Sequence, residues 1–136
     1  MTVTIRENDI IDSVADALQY ISYFHPMDYI RALGAAYEKE QGPAAKDAIA
    51  QILTNSRMCA EGHRPICQDT GIVTVIVKWG QQCVLDSSRS LQEVIDEGVR
   101  RAYLHPENKL RASILADPAF TRVNTKDNTP SIVHLE

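Results

Sequence analysis

The sequence lacks any long apolar segment and any cluster of basic residues. No apolar run reaches the roughly 18 residues that a membrane span needs, and residues 1–5 lack the basic-then-apolar order of a secretory signal. Lysine and arginine total 14 against 18 for aspartate and glutamate, so the formal net charge is -4. This balance gives no electrostatic support for nucleic-acid binding. We therefore expect a cytoplasmic protein that binds neither nucleic acid nor membrane.

Cysteine is scarce, and its spacing argues against a metal site made by this chain alone. The three cysteines are Cys59, Cys67 and Cys83, and none forms the close Cys-x-x-Cys pair that is common in zinc sites. The strand predicted between Cys67 and Cys83 would be roughly 26 Å long. Cys83 would then lie far from Cys67 unless the chain doubles back. For Cys59 and Cys83 we expect buried, structural thiols, and in a reducing compartment all three should be free.

Apolar residues at helical spacing dominate the first half of the 136-residue chain. Together with helix-capping residues and prolines they predict three helices. These run from Asn8 or Asp9 to just before His25-Pro26, from Met27 to Glu40, and from Pro43 to Gly62. Gly62 is expected to cap the third helix at its C-terminus.

The second half begins with the best strand candidate, residues 72–79, which is mostly β-branched and apolar on both faces. Such a strand is typically covered on both sides. Ser90 and Glu93 form a capping box for a fourth helix, and residues 124–130 form a polar loop before a last strand at 131–136. We expect an α+β fold in which an N-terminal region of about four helices packs on a small sheet. Because the chain stops on a strand, we expect a fragment whose sheet is incomplete.

The stretch Arg64–Gly71 (Arg-Pro-Ile-Cys-Gln-Asp-Thr-Gly) joins the helical half to this strand. Pro65 and Gly71 mark a tight turn, and polar groups on a loop that leads into a strand are well placed for chemistry. Spacing alone does not say which chemistry. A cysteine nucleophile at Cys67 would need a base, and His63 is near in sequence, although nothing guarantees that its ring faces the thiol.

This octapeptide resembles the class I, iron–sulfur-dependent fumarases and the related tartrate dehydratases. Further segments follow in the order that the family has them, and the likeness covers essentially the whole chain, closest to the N-terminal part of the single-chain bacterial enzymes. These segments are Asn55–Arg57, Glu97–Tyr103, Leu110–Ser113 and Asn124–Pro130.

The resemblance implies a [4Fe-4S] cluster held by three cysteines, of which Cys67 matches the first and the others lie outside this sequence. It also implies that Gln68, Asp69 and Arg111 contact the substrate, with Asp69 taking part in proton transfer and Arg111 binding a carboxylate. Residues 125–129 resemble a loop near the active site, without assigned roles. The plain alternatives are a turn-capping carboxylate for Asp69 and a surface ion pair for Arg111.

The activity implied is the reversible hydration of fumarate to (S)-malate, with the cluster as Lewis acid. On this hypothesis residues 1–136 are the N-terminal part of a fumarase-type domain, inactive alone, whose partners are a small dicarboxylate and the remainder of the enzyme, as a homodimer. The cluster is then absent from the isolated fragment. Two alternatives remain: a tartrate dehydratase subunit, and a non-catalytic helical module for assembly or binding.

Overall fold

The computed structural model of the protein describes residues 2–136, which divide into two units. The sheet unit comprises residues 2–19 and 69–136, and the helical unit comprises residues 20–68. The elements in chain order are β1 (Val3–Arg6), α1 (Glu7–Tyr23), α2 (Met27–Lys39), α3 (Pro43–Gly62), β2 (Thr74–Val77), β3 (Cys83–Asp86), α4 (Leu91–Leu104) and β4 (Ile132–Leu135). None of the described helices is both long enough and apolar enough to cross a membrane.

The helical unit contains the end of α1 together with α2 and α3. Pro43 occupies the first turn of α3, where its missing N–H costs nothing. The C-terminal cap of α3 is His63, whose φ of 45° lies in the left-handed region and whose N–H bonds to the Cys59 carbonyl. The prediction that Gly62 caps this helix is therefore wrong by one residue: Gly62 is the last helical residue.

The helix boundaries follow the sequence patterns closely, except at the start of α1. That helix begins at Glu7, immediately after a strand that the apolar pattern did not reveal. Asp9 lies inside the helix, where its carboxylate pairs with the Arg6 guanidinium at 2.8 Å. It is therefore not the N-cap that we expected.

The class α+β is confirmed, but the helix count expected for the N-terminal region is wrong. Three helices precede β2, and α4 follows only after β3. The capping box that predicts α4 is present: the Ser90 side chain accepts from the Glu93 N–H, and the Glu93 carboxylate accepts from the Ser90 N–H. The fourth helix follows β2 and β3 in the chain and belongs to the sheet unit.

The strands form two parallel pairs in the sheet unit. β1 pairs with β3 in the register Val3 to Cys83, and β2 pairs with β4 in the register Thr74 to Ile132. Parallel pairing requires long crossover connections, and here α1–α3 and then α4 lie between the paired strands in sequence.

The strand that we expected over residues 72–79 is shorter and less covered than predicted. Only Thr74–Val77 pairs as β2. Ile76 is 64% exposed and Ile72 is 58% exposed, so this strand is not covered on both faces by the described part of the chain. The β-branched composition correctly indicated a strand, but composition does not say what lies over it.

The core of the sheet unit is the packing of α4 against α1. Val94, Ile95 and Val99 of α4 are buried, as is Ile11 of α1. A Cβ atom at Gly98 would lie 2.8 Å from the Ile11 carbonyl oxygen and 2.8 Å from the Val14 Cβ. The two helices approach this closely because position 98 has no side chain.

A second face of α4 fixes the start of β4. The Asp96 carboxylate accepts hydrogen bonds from the N–H and the hydroxyl of Ser131, both at 2.7 Å. The Gln92 amide donates to Asp96 at 3.1 Å and to the Ser131 carbonyl at 3.1 Å. Gln92 and Asp96 are one helical turn apart, so they lie on the same face.

Candidate active site

A tight turn at Asp69–Gly71 opens the second part of the sheet unit. Gly71 has a φ of 62°, in the left-handed region that glycine adopts without steric cost. Its N–H donates to the Asp69 carboxylate at 3.0 Å. The carboxylate is exposed, so one oxygen is held by the turn while the group remains accessible to a ligand.

The segment that carries Arg111 lies against this turn. The Thr70 hydroxyl donates to the Arg111 carbonyl, and the Ser113 hydroxyl donates to the Asp69 carboxylate at 3.4 Å. Arg111 is exposed, and among the described residues its guanidinium has no hydrogen-bond or ion-pair partner. The surface ion pair that was the plain alternative for Arg111 is therefore not formed here, and its fork of N–H donors is free for a carboxylate.

The polar loop at residues 124–130 supports the Arg111 segment from the other side. The Asn124 side-chain amide donates to the Ala112 carbonyl at 2.8 Å, and the Thr125 N–H donates to the Ile114 carbonyl at 2.9 Å. Lys126 and Asn128 have φ values of 70° and 59°. Left-handed backbone at two non-glycine residues is uncommon, and it requires the surroundings to hold the loop in place.

Charged side chains join this loop to α4. Arg100 of α4 binds Asp127 at 3.2 Å and Glu97 at 2.7 Å. The hydrogen bond from Arg100 holds the pKa of Glu97 below its ordinary value. Burial acts to raise the pKa of Asp127, but hydrogen bonds from Thr129 and the Arg100 cation outweigh it, so that pKa is also lowered. Both carboxylates therefore remain ionised, and the ion pair between Asp127 and Arg100 holds the loop against α4.

Tyr103, at the end of α4, lies under the same loops. Its side chain is buried, and the polar side chains of Thr70 and Asn128 act to lower the pKa of its hydroxyl. Burial outweighs this effect and raises the pKa of the phenol, so the hydroxyl stays neutral.

Cys67 and Gln68 are the last two residues of the helical unit. Both are exposed, and the Cys67 thiol lies 3.7 Å from the Gln68 side-chain oxygen. Nearby, the Asn55 amide donates to the Ile66 carbonyl at 3.1 Å and so restrains the segment that precedes Cys67. Cys67 thus has the accessibility that a ligand or nucleophile requires.

The other two cysteines differ from Cys67. Cys59 is 5% exposed, and its thiol donates to Asn55 at 3.6 Å and to the Pro65 carbonyl at 3.5 Å. Cys83, the first residue of β3, is half-buried. The expected burial of Cys59 is confirmed, and Cys83 is only partly enclosed. All three thiols are free.

These observations bear on whether the chain could hold an iron–sulfur cluster. Within residues 2–136, no group of three or more histidine, cysteine, aspartate or glutamate side chains could hold a metal ion. A single exposed thiol at Cys67 fits one ligand of a cluster whose remaining ligands come from elsewhere. The described residues could therefore supply some of the ligands of such a cluster, but not all of them.

His63, the base considered for a cysteine nucleophile, is occupied by aromatic neighbours. Its ring stacks on Tyr23 with centroids 5.9 Å apart and meets Phe24 edge-on at 6.0 Å. The structure thus gives His63 a packing role at the end of α3.

Sequence reasoning missed the residues that connect the predicted ones. Ser113 and Asn128 each hydrogen-bond to a segment far away in the chain. The dense polar composition of 124–130 was the available signal, but it does not say which side chain turns inward. What the structure brings together in the sheet unit is Asp69, the Arg111 segment and this loop.

The protein has an α+β fold, and two of its loops present the carboxylate of Asp69 and the guanidinium of Arg111. These two residues are about 40 positions apart in the sequence. The family model described as fumarate hydratase (Fumerase) matches residues 11–136. The chain belongs to this family of hydro-lyases.

Individual relatives agree with the family assignment. A putative L(+)-tartrate dehydratase subunit alpha from Methanocaldococcus jannaschii is 32% identical over 119 residues, 88% of this chain and 40% of the relative. The anaerobic class I fumarate hydratase of Escherichia coli K12 is 28% identical over 99 residues, 73% of this chain and 18% of the relative. An L(+)-tartrate dehydratase subunit alpha of Escherichia coli O157:H7 is 26% identical over 123 residues, which are 90% of this chain and 40% of the relative. This chain therefore spans well under half the length of these relatives.

Proposed function

We propose that this chain is the N-terminal part of a class I fumarate hydratase, which reversibly hydrates fumarate to (S)-malate. The observation that carries the proposal is the meeting of Asp69 and the Arg111 segment, through the Ser113 hydroxyl at 3.4 Å from the Asp69 carboxylate. A carboxylate and an unpaired guanidinium carried by two adjoining segments suit a substrate that carries carboxylates and must exchange a proton.

Arg111 would bind one carboxylate of the substrate through two parallel hydrogen bonds, which fixes the orientation of the double bond. Asp69 would take part in moving the proton at the adjacent carbon, alone or by orienting another group. Its hydrogen bonds from Gly71 and Ser113 hold the carboxylate in one orientation. Gln68 would contribute a neutral donor and acceptor to the same substrate.

Cys67 would be one of three cysteine ligands of a [4Fe-4S] cluster, the other two lying outside this sequence. When bound, such a cluster supplies a Lewis-acidic iron with an open position for the hydroxyl oxygen. Two observations support this assignment. The Cys67 thiol is exposed, and the hydrogen bond from Asn55 to the Ile66 carbonyl restrains the backbone just before it.

A tartrate dehydratase is the second candidate. The observation in its favour is the 32% identity to a putative L(+)-tartrate dehydratase subunit alpha. The two reactions share the same needs, because both move water at a carbon flanked by carboxylates. Under this alternative the chain acts as part of an alpha subunit and requires a second kind of subunit rather than a homodimer.

The remaining expectations are part of the same proposal. The partners are the remainder of the enzyme and a second copy of it, in the cytoplasm. The third candidate, a non-catalytic assembly module, requires that the unpaired Arg111 guanidinium and the exposed Cys67 thiol have no ligand.

Activity and iron content of two proteins test these candidates together. The 136-residue chain, reconstituted anaerobically with iron and sulfide, should hold no stoichiometric four-iron species and should not hydrate fumarate, because one thiolate cannot retain a cluster. The complete enzyme containing it should convert malate to fumarate, measured by fumarate absorbance, in preference to dehydrating tartrate. Preference for tartrate selects the second candidate, and a cluster on the isolated chain would refute the assignment of ligands.

A further inference from the structure

The side chain of Asn128 lies at the junction of the loops that carry the candidate substrate-binding residues. It is 0% exposed, and its backbone φ of 59° is left-handed. Asparagine tolerates this conformation better than most residues.

The Asn128 amide connects two segments that are distant in sequence. Its oxygen accepts hydrogen bonds from the N–H groups of Ser113 at 2.7 Å and Ile114 at 3.2 Å. Its nitrogen donates to the Gly71 carbonyl at 3.1 Å. Both lone pairs of the oxygen and one N–H of the amide are thus used within the protein.

These two segments are the ones that present the candidate substrate groups. Gly71 closes the turn whose first residue is Asp69, and Ser113 lies two residues after Arg111. Because one amide binds both backbones, it sets the separation of the two segments that carry Asp69 and Arg111. Small errors in such a distance are costly in catalysis.

We propose that Asn128 is the positioning residue of this site, holding Asp69 and Arg111 at the separation that a dicarboxylate substrate requires. This inference rests on the proposed function. Because its side chain is wholly buried, Asn128 does not touch the substrate and acts through the two loops.

The isosteric change Asn128→Asp isolates the donor half of the amide. An aspartate keeps an acceptor for Ser113 and Ile114, but as a carboxylate it cannot donate to the Gly71 carbonyl and repels it. In the complete enzyme, kcat/KM for malate should fall at least about tenfold. The KM should rise as well, because Arg111 binds the substrate carboxylate before the transition state.

Gln92→Glu is the matched control. It makes the same amide-to-carboxylate change in a side chain that donates to Asp96 and the Ser131 carbonyl, away from the candidate site. It should lower Tm at least as much as Asn128→Asp, yet leave kcat/KM of the folded enzyme within about twofold. Equal kinetics for the two variants would overturn the inference and make Asn128 a structural residue only.

A double-mutant cycle with Arg111→Lys adds a readout that a structural role would not move. If Asn128 acts through Arg111, the double variant should lose clearly less than the product of the two single losses. With Gln92→Glu in place of Asn128→Asp, the losses should multiply. Multiplying losses in both cycles would also refute the inference.

Hydrogen exchange separates this inference from the proposed function, and it covers the case in which Asn128→Asp fails to fold. In the 136-residue chain, Asn128→Gly keeps the left-handed backbone but removes the amide. The Ser113 and Ile114 amides should then exchange at least about tenfold faster, while the Val94 amide of α4 is unchanged. Unchanged protection at Ser113 and Ile114 refutes the inference, whatever the enzyme catalyses. Lost protection in a protein whose complete enzyme has no hydratase activity refutes the proposed function and, with it, the claim that Asn128 positions substrate-binding residues.

Discussion

The side-chain hydroxyl of Thr70 donates a hydrogen bond to the backbone carbonyl of Arg111, 41 residues further along the chain. This bond fixes the backbone of Arg111 while leaving its guanidinium exposed and unpaired among the described residues. An arginine with a fixed backbone and an unpaired guanidinium can bind an anion with little rearrangement of the protein.

Replacing Arg111 with lysine should lower kcat/KM of the complete enzyme by at least about tenfold, roughly 1.4 kcal/mol of transition-state binding. Lysine keeps the charge but loses the planar fork that binds a carboxylate with two hydrogen bonds. Steady-state rates of malate dehydration measure the effect.

Arg89, in the polar turn before α4, is one possible control for this substitution. Arg89, however, pairs with Glu7 at 3.0 Å, so its change could alter stability. Arg31→Lys, at an exposed position of α2, is the better control and should be silent. Small, equal effects at positions 111 and 31 would mean that Arg111 is an ordinary surface charge.

Cys67→Ser should abolish hydratase activity of the complete enzyme and change its Tm little, because the side chain is exposed. Cys59→Ala should instead cost stability, about 1–2 kcal/mol, since this thiol is buried and donates to Asn55 and Pro65. Iron content, activity and Tm distinguish the two effects. If Cys83→Ala removes iron as completely as Cys67→Ser, the assignment of the ligand is wrong.

Gly98→Ala should destabilise the chain by about 1–3 kcal/mol, the usual cost of forcing atoms into a packed core. The new methyl group would meet the Ile11 carbonyl oxygen and the Val14 Cβ, each at 2.8 Å. Gly34→Ala, inside α2 with nothing within 4 Å of its Cβ position, is the matched control. It should stabilise by about 0.5–1 kcal/mol through helix propensity. Chemical denaturation measures both, and a stable Gly98→Ala variant would disprove the close contact.

The free energy of unfolding should fall as the solution becomes acidic, and Arg100 should account for part of the fall. The pKa values of Glu97 and Asp127 are lowered in the folded chain from ordinary values of 4.5 and 3.8. Lowered carboxyl pKa values stabilise the fold above the unfolded values, and this stabilisation is lost as the pH drops through the folded values. Replacing Arg100 with methionine should make the loss between about pH 5 and pH 3 shallower.

Unfolding by urea over this pH range measures the Arg100 contribution. Arg31→Met, at an exposed position, should keep the wild-type slope. An unchanged slope in Arg100→Met would mean that its ion pairs with Glu97 and Asp127 do not persist in solution.

Local signals in the sequence predicted local structure well. Ser90 and Glu93 are three residues apart, and their capping box correctly fixed the start of α4. Pro43 likewise marked the start of α3. Such signals succeed because the interacting groups lie within one helical turn of each other.

The pairing of distant segments could not be predicted in the same way. β1 pairs with β3 across about 80 residues, with the register Val3 to Cys83, and four-residue strands have too little periodicity to reveal it. The contact of Ser113 with Asp69 and the inward turn of Asn128 also depend on tertiary packing. The sequence therefore indicated Asp69 and Arg111 separately but not the amide that joins their loops.

Each of the two parallel strand pairs presents unpaired backbone edges in the described chain, and β2 also exposes the side chain of Ile76. Open strand edges next to apolar side chains are templates for pairing with any other extended chain. We therefore expect the 136-residue chain to self-associate at the concentrations reached during overexpression. If the proposed remainder of the enzyme covers these edges, producing the two polypeptides together should reduce this self-association.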